Sequence, residues 1–337
     1  MRKAKSAMPC DVALLVDIET GAWGASGKFV VDRGSVEALL FRCLRTLYQH
    51  VVIVPFDPGV VATLEALRTL KPRVVFNITE WVGGDRRLDA AITGLLDLLH
   101  LPYTGSSAEA LQICRDKSLS KQLVARCGVR VAAELLVRPG DTVCVPEFGF
   151  PVLVKPQYGD GSDSIGKGAL VRNLAQLRAR VRAIHRQQKQ PALCEAFVPG
   201  ADIYVALLGN EPRVMRPIQV VIGRKHANAP LFATYSVKNS GAYRKRWRVH
   251  WIEPKLPAAV VREIQRASRA AFHALKLNGY ARMDYRLTPD HQLVFLEANA
   301  NPDLDPDSFG RNRCFAGVRY RDAIKTIVDT ALRGGRV

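Results

Sequence analysis

The sequence lacks any apolar run of the ~18–20 residues that a membrane-spanning helix needs. Its basic start, MRKAKSAMPC, is similar to the first part of an export signal. The apolar run that follows, residues 12–16, is cut short by Asp17, which argues against export. We therefore expect a cytoplasmic protein.

Cysteine and histidine are sparse and scattered. The seven cysteines occur singly, without a CxxC pair, which favours reduced thiols over a disulfide framework or a zinc site. The seven histidines are equally dispersed, and neither HExxH nor GxSxG occurs. The signatures of metalloproteases and serine hydrolases are therefore absent.

Acidic residues are too few to balance the basic ones, and the net charge is +18. A field of this sign attracts polyanions, including nucleotides and nucleic acid. The basic residues gather in residues 172–189 and 243–248. Apolar residues spaced three and four apart in the first cluster predict an amphipathic helix with a solvated basic face. The second, YRKRWR, mixes aromatic and basic residues, so nucleic-acid binding stays open as a less favoured function.

The 337 residues, 48% of them hydrophobic, are enough for two or three domains with sizeable cores. Strand-like segments at 11–18, 51–56 and 73–77 alternate with helical segments at 34–48, 60–70 and 87–99. This order predicts a small parallel sheet covered by helices. Further helices are expected at 257–276 and 318–332, and the first of these is expected to pack in the core.

The stretch from 279 to 307 predicts a hairpin with a polar end. Strand-like runs at 281–287 and 293–297 are separated by the turn sequence Thr288-Pro289-Asp290. Pairing these runs can bring Asp284 close to Glu297 and Asn299. Two carboxylates and an amide oxygen suit Mg²⁺, usually with water and phosphate oxygens as further ligands. The alternative is a hairpin with a polar, solvated face.

The same stretch, RMDYRLT…LVFLEANANPDLDPDSF, resembles the C-terminal signature of the ATP-grasp superfamily. Within that superfamily it is most similar to D-alanine–D-alanine ligases, where the segment has the form RxDF…LEVNxxPGxTxxSL. The resemblance covers roughly residues 73–320. It includes PYTGS before a DKxxxK helix, Lys155-Pro156 before a glycine-rich loop, and LCEAFVPGADIYVAL.

The resemblance implies a nucleotide site spread along the chain. Lys117 and Lys155 would meet phosphate, as would the glycine-rich loop at Gly161 and Ser162. The adenine and ribose would be held by a second set of residues: Glu195, Phe197 and Val198 at the adenine, Asp202 at the ribose hydroxyls, Phe232 against the adenine face, and Leu296. Lys238 would reach phosphate from the segment FATYSVK.

The resemblance also implies the chemistry, in which ATP with Mg²⁺ or Mn²⁺ phosphorylates a substrate carboxylate and an amine then displaces the phosphate. Asp284, Glu297 and Asn299 would hold the metal. Arg282 matches an arginine at the developing oxyanion, and Ser308 matches a serine that binds the carboxylate of the second amino acid. The expected partners are ATP and small-molecule substrates.

The implied fold class is α/β and α+β, an ATP-grasp fold with three domains. We expect a Rossmann-like pre-ATP-grasp domain at 1–105, a central lid domain at 106–198 and a C-terminal catalytic domain at 199–337. No membrane contact is expected. The sequence does not distinguish a monomer from a homodimer.

Departures from the family pattern are concentrated on the side of the first substrate. VDIETGAWGASGKF stands where the family has GGxSxExEVS, and EWVGGDRRLD replaces HGxxGEDG, keeping only Asp89 of its polar pattern. Carboxylates at Asp303, Asp305 and Asp307 are also added. These changes argue against D-alanine as the first substrate. A non-catalytic or regulatory ATP-binding protein is the alternative to a ligase.

Overall fold

The structure is a computed structural model that describes residues 10–158, 167–223, 231–232, 234, 237, 240–304 and 318–334. Its strands in chain order are β1 (Val12–Asp17), β2 (Gly21–Trp23), β3 (Phe29–Val31), β4 (Val51–Phe56), β5 (Val74–Asn77), β6 (Glu134–Val137), β7 (Val152–Pro156), β8 (Leu170–Val171), β9 (Ala192–Ala196), β10 (Ala201–Leu208), β11 (Arg213–Val214), β12 (Ile218–Ile222), β13 (Val249–Ile252), β14 (Tyr280–Leu287) and β15 (Leu293–Asn299). The α-helices cover Val36–Arg45, Val61–Leu70, Asp89–Leu98, Ala108–Arg115, Lys117–Arg126, Leu174–Gln188, Gly241–Trp247, Ala258–Ala274 and Tyr320–Leu332. Short 3-10 helices lie at Ile18–Thr20, Arg86–Leu88 and Lys167–Ala169.

The first sheet is parallel, with β1 between β4 and β5. All six residues of β1 are buried because helices cover both faces of the sheet. Leu14 packs with Leu40 on one face, and Leu15 packs with Leu67 and Leu96 on the other. The predicted parallel sheet is confirmed. The glycine-rich stretch after β1 forms the short hairpin of β2 and β3.

The second sheet is antiparallel, in the order β6-β9-β7-β8. The helix Leu174–Gln188 covers it and buries Leu177, Val181 and Ile184 against the sheet. Basic residues of this helix, including Arg178 and Arg182, are exposed. This confirms the predicted amphipathic helix.

The third sheet is also antiparallel, in the order β13-β12-β10-β14-β15, with β11 paired to β10. The helix Ala258–Ala274 packs Ile264 and Phe272 in one cluster with Val205 and Met283. β14 and β15 form the predicted hairpin, and β15 continues two residues beyond its predicted end. In the turn, the Thr288 N–H donates to the Gln292 carbonyl at 3.0 Å.

Polar caps define where several helices begin. A side-chain oxygen at the residue before the helix accepts a backbone N–H bond in each case, as helix N-termini favour. These capping residues are Ser35, Ser107, Asp116, Asn173 and Ser240. The Asp116 cap fixes the start of the helix that carries Lys117 and Lys121.

The basic segment YRKRWR lies mostly in a short helix, Gly241–Trp247, which was not predicted. Its last residue, Arg248, ends the helix and leads into β13 at the edge of the third sheet. Trp247 is 4% exposed, whereas Lys245 and Arg246 face solvent. At least one aromatic residue of this cluster therefore serves packing. Among the described residues, no helix is both long enough and apolar enough to cross a membrane.

Candidate functional site

A cleft between the second and third sheets collects most of the predicted nucleotide residues. Both sheets contribute strands to its walls, and Phe232 is contributed by a separate segment. The lining residues are Ala132, Leu153, Lys155, Glu195, Ala196, Phe197, Val198, Asp202, Tyr204, Phe232, Asp284, Arg286, Leu296 and Glu297. Residues separated by more than 140 positions in sequence thus share one cavity.

Buried charges meet on the second-sheet side of the cleft. Lys155 Nζ lies 2.9 Å from Glu195 Oε2, and both side chains are under 5% exposed. Lys121 Nζ contacts Glu195 Oε1 and lies 3.4 Å from Glu134 Oε2. Glu195 was predicted at the adenine edge, but here its carboxylate is held between two lysines.

Burial controls the protonation of these lysines. It lowers the pKa of Lys121 to about 8 and lowers the pKa of Lys155 well below its ordinary value. The charge of Lys117 also lowers both pKa values, and Lys121 lowers that of Lys155. Closely spaced buried lysines are an arrangement that favours an incoming anion such as phosphate.

The helix of Lys117 is tied directly to β7. Asp116 caps this helix and accepts two hydrogen bonds of 2.9 Å from Gln157 Nε2, just after Lys155-Pro156. The motif DKxxxK and the strand that carries Lys155 are therefore held together. Lys121 was noted in this motif but not predicted as a site residue. Its position one helical turn from Lys117 was the available signal.

Two phenyl rings line a slot of the same cleft. Phe197 follows β9, and its ring centroid lies 6.1 Å from that of Phe232. Val198 and Leu296 also line the cleft. These residues give the apolar surface on which a planar base can rest.

A buried ion pair borders this slot. Asp202 on β10 faces Arg286 on β14, because the two residues are direct partners in the antiparallel ladder. Arg286 Nη1 lies 3.2 Å from Asp202 Oδ1, and both side chains are less than 10% exposed. Arg286 was not predicted as a site residue.

The third-sheet hairpin aligns the residues predicted for metal binding and catalysis. In the β14–β15 ladder, Asp284 is opposite Glu297 and Arg282 is opposite Asn299, with an irregularity after Asp284. Arg282 donates two hydrogen bonds to Asp284, from Nε to Oδ1 at 2.7 Å and from Nη2 to Oδ2 at 3.1 Å. Its guanidinium carbon also lies 5.0 Å from the ring centroid of Tyr204.

The donor set of this hairpin fits a hard divalent cation. Asp284 and Glu297 supply carboxylate oxygens, and the amide nitrogen of Asn299 is buried without a hydrogen-bond partner among the described residues. Since amide nitrogen and oxygen are assigned from hydrogen bonding, this orphaned group is compatible with an oxygen turned toward a cation. No three His, Cys, Asp or Glu side chains cluster as metal ligands in the described part of the chain. Such a cation would therefore need further oxygens from phosphate and water.

Four predicted site residues lie outside the described residues: Gly161 and Ser162 of the glycine-rich loop, Lys238 after FATYSV, and Ser308.

The carboxyl end of β1, where the family pattern is lost, has a different arrangement of charge. Asp17 accepts backbone hydrogen bonds of 3.1–3.2 Å from the N–H groups of Glu80 and Trp81. Burial raises the pKa of Asp17 to about 7. Arg86 pairs with Glu80 and lies over the Trp81 ring, 5.0 Å from its centroid.

Asp89, the one family residue retained in this region, also has a structural partner. Its carboxylate pairs with Arg115, and both side chains are largely buried. Asp89 begins the helix Asp89–Leu98, and Arg115 ends the helix Ala108–Arg115, so the pair joins two helices.

Comparison with known proteins gives one consistent result. The family model described as D-ala D-ala ligase C-terminus matches residues 139–329. An uncharacterized protein of Sinorhizobium fredii is 32% identical over 89% of this chain and 88% of its own length. A D-alanine–D-alanine ligase of Gluconobacter oxydans is 28% identical over 92% of this chain and 97% of its own length.

Solved structures agree in fold. A D-alanine–D-alanine ligase from Bacillus anthracis, crystallised with ATP, aligns with a TM-score of 0.73 and 18% identity over 96% of this chain and 97% of its own. The predicted ATP-grasp fold is thereby confirmed. With the family model matching more than half of the sequence, the chain belongs to the D-alanine–D-alanine ligase family.

Proposed function

We propose that this protein is an ATP-dependent ligase that joins a carboxylic acid to an amine through an acyl phosphate. The observation that carries the proposal is the register of β14 and β15. It pairs Asp284 with Glu297 and Arg282 with Asn299 in the sheet that also lines the cleft of Lys155. Oxygen ligands for a metal, an arginine and buried lysines are the groups that phosphoryl transfer uses to offset phosphate charge.

In the proposed reaction, a substrate carboxylate oxygen attacks the γ-phosphorus of ATP, and the bond to the bridging oxygen of ADP breaks. The amine nitrogen then attacks the acyl carbon, loses a proton and expels phosphate. Lys117 and Lys155 bind the phosphates, while Arg282 is the donor toward charge that develops at the acyl oxygen. Ser308 binds the carboxylate of the second substrate.

The cofactors of this proposal are ATP and Mg²⁺ or Mn²⁺. Asp284, Glu297 and Asn299 would hold the metal, which offsets the negative charge of the phosphates. Phe197, Val198, Phe232 and Leu296 would surround the base, with Glu195 at its edge and the Glu195 carboxylate held between Lys121 and Lys155. Asp202 accepts hydrogen bonds from the ribose hydroxyls, because a carboxylate can accept from two neighbouring hydroxyl groups.

We further propose that the acid is an amino acid or related acid other than D-alanine. The support is the changed set of residues around β1, where Asp17 is held by backbone amides and Arg86 pairs with Glu80.

Three domains, 1–105, 106–198 and 199–337, are proposed for the chain. The residue ranges of the three main sheets support this division. The parallel sheet ends at Asn77, the second sheet spans Glu134 to Ala196, and the third begins at Ala201.

The test is phosphate release from ATP and Mg²⁺ in the presence of D- and L-amino acids, singly and in pairs. We expect one pair to stimulate release in the wild type and the stimulation to be lost in Glu297→Gln. The matched control is Glu263→Gln, which alters an exposed glutamate paired with Arg266 on a helix surface. ATP binding without stimulation by any acid and amine would favour a regulatory ATP-binding protein. Failure to bind ATP would overturn the proposal.

A further inference from the structure

Arg286 is a buried cation that lies beside the two phenyl rings of the slot. Its side chain is 5% exposed. The guanidinium carbon lies 5.7 Å from the ring centroid of Phe197 and 5.8 Å from that of Phe232. At these distances a cation is attracted to the ring faces. Arg286 therefore contacts both rings proposed to hold the base.

The polar contacts of Arg286 join separate segments of the chain. Nη1 donates to the Gly200 carbonyl at 2.8 Å, and Nη2 donates to the Leu231 carbonyl at 3.2 Å. Nη1 also lies 3.2 Å from Asp202 Oδ1. One side chain thus connects β14 to the connector before β10 and to the segment that precedes Phe232.

The connector is held unusually close to β14. Gly200 has a φ of +148°, and a Cβ there would lie 2.2 Å from the Leu287 carbonyl oxygen. This close approach brings the Gly200 carbonyl within reach of Arg286. Because Asp202 follows two residues later, its position depends on the same connection.

Burial makes the Asp202–Arg286 pair strongly interdependent. A carboxylate removed from water is costly unless a cation and hydrogen bonds compensate it, and removing one partner leaves the other uncompensated. The planar guanidinium can donate to several acceptors in a fixed geometry, which a lysine ammonium cannot reproduce. Arg286 therefore fixes the direction as well as the charge of Asp202.

We propose that Arg286 is a positioning residue for nucleotide recognition. It orients the Asp202 carboxylate toward the ribose hydroxyls and keeps Phe197 and Phe232 at the spacing of the base slot. This inference rests on the proposed function, since it requires nucleotide in the cleft. It assigns ribose selectivity to a side chain that need not touch the ribose.

The test compares the Kd of ATP with that of 2′,3′-dideoxy-ATP, which lacks both hydroxyls, by calorimetry with Mg²⁺. We expect the wild type to prefer ATP by about tenfold or more, as hydrogen bonds to a charged group provide. In Arg286→Met the two Kd values should differ by no more than about twofold. Asp202→Asn should show the same loss of preference. Adding both changes should lower the ratio no further. A merely structural role would weaken both nucleotides equally and leave the ratio unchanged.

Two controls keep the result decisive. Arg216→Met removes an arginine from an exposed pair with Glu253 and should leave the ratio at the wild-type value. If Arg286→Met does not accumulate as folded protein, Arg286→Lys replaces it. This variant retains the positive charge but loses the planar set of guanidinium donors. Its preference for ATP over dideoxy-ATP should therefore fall at least about threefold.

The outcomes separate the inference from the proposed function. A wild type that binds ATP and dideoxy-ATP equally, or Arg286 variants that keep the wild-type ratio, would overturn the inference while nucleotide binding stands. A wild type that binds neither nucleotide would overturn the proposed function and the inference with it.

Discussion

The nucleotide cleft and the carboxyl end of β1 both bury carboxylates, but they compensate them differently. In the cleft, each buried carboxylate pairs with a basic side chain. Glu195 pairs with Lys155 of a neighbouring strand, Asp202 with Arg286 of a neighbouring strand, and Asp284 with Arg282 of its own strand. At the end of β1, Asp17 is held by backbone N–H groups, and burial raises its pKa to about 7. The cleft is built from paired charges, whereas the β1 site holds a carboxyl whose raised pKa leaves it about half protonated near pH 7.

This difference separates two parts of the proposed activity. The paired charges lie on strands whose register is fixed by the sheets, so their geometry follows from the fold. The groups around Asp17 lie on the loop after β5, which can change without disturbing a ladder. We infer that ATP chemistry is retained in the strands, while substrate choice is set by the loops.

The largest effect on activity is expected for Arg282→Met. Arg282 is proposed to act on charge that develops in the transition state, so kcat should fall about 10²–10³-fold while the Kd of ATP changes little. Steady-state kinetics and calorimetry on the same preparation check this split. Arg216→Met is the control for loss of an arginine. An unchanged kcat would remove Arg282 from the catalytic role.

Glu195→Gln should produce the largest loss of stability. It leaves the buried ammonium groups of Lys121 and Lys155 without their shared carboxylate. The free energy of unfolding should fall by about 3 kcal/mol at pH 7, as for other broken buried pairs. Urea denaturation measures the change, and Glu263→Gln should shift it by less than about 0.5 kcal/mol. Equal effects in the two variants would show that the buried cluster is not stabilising.

Asp17→Asn should change stability in the opposite direction. The pKa of Asp17 rises from 3.8 to about 7 on folding, so the folded state binds more protons between these values. Its contribution to stability is therefore present at low pH and is lost as pH rises through about 7. The asparagine variant should match the wild type at pH 4 and be more stable by up to about 4 kcal/mol at pH 8, since each unit of pKa shift corresponds to about 1.4 kcal/mol.

Denaturation curves across that pH range test the Asp17 prediction. A variant that is less stable than the wild type at pH 8 would mean that Asp17 is a paired, ionised carboxylate like those of the cleft. The distinction between the two regions would then fail.

The smallest effect is expected from the exposed basic helix. Changing Lys245 and Arg246 together to glutamine removes two solvent-facing charges, whose interactions are screened by salt. ATP affinity should fall no more than about twofold at low salt and not at all at high salt. Calorimetry at two salt concentrations gives the answer. A loss of tenfold or more would place these side chains at the nucleotide.

Local sequence pattern was sufficient to predict much of the architecture. Apolar periodicity gave the first sheet and the helix Leu174–Gln188, and strand alternation gave the hairpin in which Asp284 faces Glu297. Arg286 escaped prediction because its partners, Gly200, Asp202 and Leu231, are at least 55 positions away. Such contacts depend on strand order and connector path, which no local pattern encodes.

The basic cluster at 243–248 is a second case in which local pattern did not predict the structure. The run of basic residues gave no apolar periodicity, so the short helix Gly241–Trp247 was not predicted. This helix begins at the Ser240 cap and buries Trp247. The raised pKa of Asp17 also could not be predicted from the sequence, because it depends on burial of the carboxyl against the loop after β5.

The most direct test of the central claim is capture of the acyl phosphate with hydroxylamine. Wild-type protein, ATP, Mg²⁺ and each candidate acid would be incubated with hydroxylamine, and hydroxamate and phosphate would be measured together. The account predicts that one acid yields hydroxamate and phosphate in equal amounts, and that Glu297→Gln yields neither. Phosphate release with no hydroxamate from any acid that stimulates it would contradict an acyl-phosphate ligase.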